Sequence, residues 1–327
     1  MNPKKRIRSS NQLNYKHHEK DIILSSCFFT VVITSITSCN SAEDIVIEPI
    51  QAPQNAELTK LYYSIDSLQK VYSIPESRVD WDKWGRRGLS FAVDGVVGLL
   101  FAETGPLAAP IAAVGSGLYE DYLDYMVARC NTRNGQIRPI TRGESSSIKT
   151  VVFPDENATI IDSVGYYHNL IINDVRSNGK SYTDDKGNID FSAYYEDVFV
   201  SAKKHGIQND YPINTQFLFQ YLESIIKPVA QLNANSQEDI NSELILSIFF
   251  NHNYKGFNYD TAKTIQHREI CEKIIYNCSN IMNSQLVEYG TKVNDIIVNS
   301  QLDSSTKDNL KIANNIAVNS SLQWCEQ

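Results

Sequence analysis

The chain has 327 residues, of which 42% are hydrophobic and 21% charged, with a formal net charge of −8. These proportions exclude a wholly disordered chain and a polytopic membrane protein, and the length suffices for one large or two modest domains. The charge is unevenly divided. Lys4, Lys5, Arg6, Arg8, Lys16 and Lys20 face only Glu19 and Asp21 near the start, whereas 24 of the 30 basic and 36 of the 38 acidic residues follow residue 39, a net −12. Such a field repels phosphate backbones, so no nucleic-acid partner is expected.

Residues 1–20 form a basic, polar stretch, and an apolar run diluted by Ser and Thr follows from Ile22 to Ile36. That run is too short and too polar to span a bilayer and has the layout of a signal peptide. It ends in Ile36-Thr37-Ser38-Cys39, an aliphatic residue, two small residues and a cysteine. This order resembles the lipobox of bacterial lipoproteins. The resemblance implies cleavage after Ser38, acylation of Cys39 with palmitate-type chains and anchorage in the cell envelope. The competing reading is a cysteine in a buried helix. Asn40-Ser41-Ala42-Glu43-Asp44 resembles the acidic signal that sends some Bacteroidota lipoproteins to the outer face, and a plain solvated tether has the same composition. An outer-membrane location with either a periplasmic or a surface face is therefore expected. The remaining partner, protein or small molecule, is not identified.

From Cys39 to residue 56, Pro49 and Pro53 and the lack of a period indicate a tether. Leu58, Leu61, Tyr62, Ile65, Leu68 and Tyr72 then mark one face of a helix ending before Pro75. Seven of the fifteen glycines fall between Gly85 and Gly117, interleaved with Ala. Glycine is costly inside a lone helix, so its clustering implies close backbone approach. The spacing predicts a helical hairpin, Trp84–Glu103 and Ala108–Arg129, turned at Gly105-Pro106, within an N-terminal region spanning 57–130. The stretch Trp81–Met126, with its Trp-Gly start, Asp94 and a Gly/Ala series, resembles a segment of lipid-anchored Bacteroidota proteins to which no activity is attached. That resemblance extends to Val164–Asn169.

Residues 131–150 read as a loop or boundary, and 151–327 as a helical C-terminal region. Thr150–Phe153 is the single candidate strand. Helices are predicted over Ile160–Val175, Phe191–Lys204, Asn214–Ile226 stopped by Pro228, Glu238–Phe250, Thr261–Asn277, Ile281–Asn299 and Thr306–Trp324. The expected fold is mainly α, a bundle built around the Gly/Ala-rich hairpin with little or no β.

The apolar limbs Leu89–Ala102 and Leu107–Leu118 measure about 21 and 18 Å as helix, short of a bilayer core of about 30 Å. A core hairpin is one reading. A segment that enters a membrane, as in Gly/Ala-rich bacteriocins, with Trp81 and Trp84 near the interface, is the other.

Once Cys27 leaves with the signal and Cys39 takes lipid, Cys130, Cys271, Cys278 and Cys325 remain, an even number compatible with disulfides or with buried thiols. Cys271 and Cys278 on one helix lie about 10.5 Å apart along its axis and would have to pair outward. His267 with Cys271 and Cys278 is a poor metal set, because the third ligand is two turns from the second. Asp184–Asp190 suggests a calcium loop, but aligning Gly187 with the sixth EF-hand position puts Tyr182 first and Ala193 twelfth. An acidic turn followed by an N-cap fits better.

His168, with Asn169 and Asp94, completes the polar candidates. As a general base His168 needs a partner that the sequence does not name, and otherwise it is a hydrogen-bonded structural histidine. No fingerprint of a catalytic triad, zinc protease, Walker loop or nucleotide cofactor occurs, and Gly115-Ser116-Gly117 is too short for a nucleophile elbow. No cofactor, metal or catalytic residue is assigned. Asp66-Ser67-Leu68, Asp162-Ser163-Val164 and Asp260-Thr261-Ala262 match the Asp-Ser/Thr-aliphatic pattern on which Bacteroidota O-glycosylate exported proteins, and each also suits a helix N-cap. The expected function is a lipid-anchored envelope protein acting as a non-enzymatic binding or interaction module. The alternative is a membrane-inserting effector.

Overall fold

The computed structural model describes residues 55–72, 81–133, 152, 159–208, 212–235 and 261–324, all within one compact unit spanning Ile47–Gln327. Residues 1–54, with Cys39 and nearly all of the tether, the predicted helix Glu238–Phe250 and Cys325 lie outside the described residues.

Nine α-helices and no strand occur among the described residues. They are α1 (Ala56–Tyr72), α2 (Trp81–Leu100), α3 (Ala108–Arg133), α4 (Val164–Ser177), α5 (Phe191–Lys204), α6 (Thr215–Asn235), α7 (Thr261–Ser279), α8 (Asn283–Val298) and α9 (Ser304–Trp324). The fold is mainly α, as the periodicity predicts. Helix α1 buries the expected stripe Leu58, Leu61, Ile65 and Tyr72.

The hairpin forms where predicted. A 3-10 turn, Ala102–Leu107, joins its limbs, and Gly105 within it has φ +61°, a conformation in which a β-carbon is strained. Every residue from Ser90 to Leu99 and from Leu107 to Tyr119 is buried. These limbs pack on each other and are enclosed by α4, α5 and α6 around α3 and by α7 and α9 around α2. Close approach extends beyond the hairpin itself. A β-carbon at Gly115 would touch Val93 and Val97 across the hairpin, but one at Gly95 would stand 2.7 Å from Ile275 of α7, and one at Gly98 2.7 Å from Ile316 of α9.

Helix α9 runs through the middle of the bundle. All residues from Asn309 to Leu322 are buried, and it packs against α2, α4, α7 and α8, the hairpin's 3-10 turn and a second 3-10 turn, Ile160–Ser163, that leads into α4. A helix buried all round is normally apolar all round. This one carries Asn314, Asn315, Asn319, Ser320 and Ser321 inside the core.

Two boundaries differ from the sequence reading. Helix α6 does not stop before Pro228 but continues through it to Asn235. Proline inside a helix costs about 3 kcal/mol locally, and here Leu222, Ile225, Ile226, Val229 and Ala230 on both sides of it are buried in the core, a larger apolar gain. Helix α3 runs on to Arg133, into the stretch expected to be loop. Of the candidate strand Thr150–Phe153, only Val152 is described, exposed and in no element.

Candidate functional site: a polar cluster in the core

Asp94, His168 and Asn169, which lie on different parts of the sequence, meet in the interior. Asp94 sits midway along α2, and His168 and Asn169 occupy the first turns of α4. Helices α4 and α9 can approach closely because residue 165 is glycine: a β-carbon there would lie 2.1 Å from the backbone oxygen of Asn315. His168 Nε2 is 3.0 Å from Asp94 Oδ1, with both side chains fully closed to solvent. Nδ1 of the same ring is 2.9 Å from Asn169 Oδ1. Asn169 Nδ2 donates to the Asn319 carbonyl at 2.7 Å, and the Ser320 hydroxyl donates to Asp94 Oδ2.

The cluster continues as a chain of amides along α9. Asn319 Nδ2 donates to the Asn315 carbonyl, Asn315 Nδ2 to the Ile161 carbonyl, and Asn294 Nδ2 of α8 to Asn315 Oδ1. Asn314 Nδ2 reaches both Asn294 Oδ1 and the Gly290 carbonyl. Buried amides with such partners cost little, and the bonds to Asn294, Gly290 and Ile161 tie α9 to α8 and to the turn before α4. Farther along, Lys311 Nζ lies 2.7 Å from Asp162 Oδ1, with 8% and 1% of the two side chains exposed. Asp162 Oδ2 also accepts from the Thr159 backbone at 2.7 Å.

Chemically, this arrangement orients α2 and α4 on α9 rather than exposing a reagent. The serine bonds the carboxylate, not the imidazole, so Ser320, His168 and Asp94 are not in the order of a nucleophile relay. Ser320, Asn319, Asn315 and Lys311 were not singled out from the sequence. The available signal is the density of Asn and Ser in an otherwise regular helix, since these residues are poor helix formers away from caps.

The other candidates disperse. Cys271 and Cys278, both on α7, are buried thiols rather than disulfide partners, and burial pushes the Cys271 thiol well above its ordinary range, with Glu272 and Glu269 adding to the effect. The side chain of Cys130 lies outside the described residues. His267 is buried on the same helix, and no group of three metal-ligating side chains assembles among the described residues. Asp184–Asp190 is a closed turn. Asp184 accepts from the Lys186 and Asn188 backbones and from the Asn188 side chain, each at 2.8 Å, and Asp190 caps α5 through Ala193 N at 3.0 Å. Of the Asp-Ser/Thr-aliphatic triplets, Ser67 is exposed in mid-helix and Asp66 pairs with Lys273, so neither is a cap. In the second triplet Asp162 is committed to Lys311, and the side chains of the third lie outside the described residues.

Another polar cluster joins α4 to α5. Asp174 Oδ2 accepts from Lys204 Nζ at 2.8 Å, His205 Nε2 at 3.0 Å and Ser201 Oγ at 3.1 Å. Burial alone would raise this carboxyl, but the bonds from Lys204, His205 and Ser201 outweigh it and hold the group below its ordinary value. Comparison with protein-family models, characterised proteins and solved structures finds no match to the chain.

Proposed function

We propose that the chain is an exported, lipid-anchored protein of the bacterial cell envelope whose helical unit is a non-enzymatic binding or interaction module. The observation that carries this reading is the order of basic stretch, apolar run and Ile36-Thr37-Ser38-Cys39 at the start of an otherwise acidic chain. With Cys39 acylated, the membrane is the first partner and the outer membrane the expected site. No helix among the described residues is long and apolar enough to cross a membrane, so attachment of the unit would rest on the lipid. The interaction role is supported by how the polar candidates are used: Asp94, His168 and Asn169 direct their bonding atoms at one another and at α9.

The intact mass of the amino-terminal peptide, taken from membrane-extracted protein in its native host, tests the anchor. A peptide beginning at Cys39 with added acyl mass is expected. An unmodified peptide beginning at Met1 refutes the reading.

A further inference from the structure

Two hydroxyls in the core stand outside the bonding described above. Tyr194 of α5 and Ser116 of α3 are both buried, and neither hydroxyl has a hydrogen-bond partner among the described residues. A buried polar group left unpaired is costly, because it has given up water and gained nothing in exchange. Burial, with Tyr182 and Asp94 adding to it, raises the Tyr194 phenol, so it keeps its proton. Each oxygen can therefore donate one bond and accept others.

The two groups stand together at the seam between α3 and α5. The Tyr194 oxygen lies where the β-carbon of residue 117 would be, a place open to it because that residue is glycine. Ser116 is the next residue along α3, with its Cα about 3.8 Å from that of Gly117. Across the hairpin, Ser90 bonds Glu120, and Val93 and Val97 flank Gly115. This antiparallel register sets Asp94 level with Ser116. The Asp94 carboxylate, which already accepts from Ser320, has lone pairs for further donors.

The geometry points to an internal water held between Tyr194 and Ser116, with the Asp94 carboxylate as its third partner. A buried water makes about three hydrogen bonds to polar groups that the protein cannot otherwise serve. Water suits the donor set: it is small and neutral, and it both donates and accepts, as the two hydroxyls do. An anion would meet the Asp94 carboxylate, and a metal ion needs more ligating groups than assemble among the described residues. Held there, the water carries the polar cluster from α9 and α2 past α3 to α5.

A crystal structure of the full chain tests the site directly. Density for a water within about 3.2 Å of both hydroxyl oxygens is expected. A direct bond between the two hydroxyls overturns the proposal, and so does a structure with no water between them. Urea unfolding gives a second readout in solution, since Tyr194→Phe and Ser116→Ala each remove an oxygen and add no volume. Tyr194→Phe should raise the unfolding constant by about two- to tenfold, and this rise should be at least halved in a chain already carrying Ser116→Ala. Hydroxyls that are buried with no water would give the opposite sign, because Tyr194→Phe would then take an unpaired polar group out of the core. That result overturns the proposal, as does an equal cost in both backgrounds.

Discussion

Removing either member of the Asp94–His168 pair should cost far more than removing both would suggest. Asp94→Leu leaves a buried imidazole without its carboxylate and the Ser320 hydroxyl without an acceptor. His168→Leu takes the imidazole away from both the Asp94 carboxylate and the Asn169 oxygen. Breaking one side of a buried pair costs about 3–5 kcal/mol, so the two single losses sum to about 6–10. The double variant holds no buried charge here. Its remaining cost is the unmade bonds of Ser320 and Asn169, about 1–3 kcal/mol each, partly offset by the apolar side chains. A coupling energy of at least about 2 kcal/mol is therefore expected from urea unfolding of the wild type, the two singles and the double. Additivity within about 0.5 kcal/mol would refute the account of the pair as a unit.

Two glycine substitutions separate crowding from backbone strain. Gly165→Ala should destabilise by about 1–3 kcal/mol, because its β-carbon meets the Asn315 carbonyl and must part α4 from α9. Gly105→Ala meets nothing within 4 Å, and its cost of about 1–2 kcal/mol should come from φ +61° alone. Thermal melts read both. Asp174, whose carboxyl is depressed in the folded state, contributes stability above the ordinary carboxylate range and loses it as pH falls through the folded value. The gap in urea midpoint between wild type and Asp174→Asn should therefore be full at pH 6 and close below about pH 4. Cys271, buried and held as a thiol, should resist alkylation at pH 8 in the native chain and react once it is denatured, which peptide mass mapping resolves.

Much of the architecture was legible because helices with one apolar stripe advertise it. Leu58, Leu61, Ile65 and Tyr72 mark α1, and the Gly/Ala run with Gly105-Pro106 locates the hairpin and its turn. The pattern failed where tertiary packing overrides a local rule. Pro228 is a helix stop by propensity, yet the buried residues flanking it carry α6 onward. The position of α9 was not legible either, since a helix bearing Asn314, Asn315, Asn319 and Ser320 looks like a surface helix until its partners are known. His168, Asn169 and Asp94 each stood out as polar residues in apolar surroundings. That they share one site depends on α2 and α4 meeting on α9, a long-range arrangement that spacing along the chain does not encode.

The same arrangement changes how membrane insertion of the hairpin should be tested. Bulky substitutions at Gly95 or Gly98 are poor probes, because they would strike Ile275 and Ile316 and overpack the bundle whatever the hairpin does. Asp94 is more informative. It is the one charged residue between Leu89 and Ala102, and a carboxylate at the bilayer centre costs about 2.5–3.5 kcal/mol on the insertion scale. A hairpin that left the bundle would lose the compensation from His168 and Ser320 and meet that cost in lipid. Replacing Asp94 and His168 together by Leu removes the cost on the lipid side and much of the hold on the protein side, so an inserting hairpin should leak vesicles faster in that variant. A hairpin that serves only as core should leave vesicles intact in both proteins while the variant's urea midpoint falls. Leakage that rises with the double substitution and persists in protein lacking the acyl chains would reverse the assignment of the hairpin to the core.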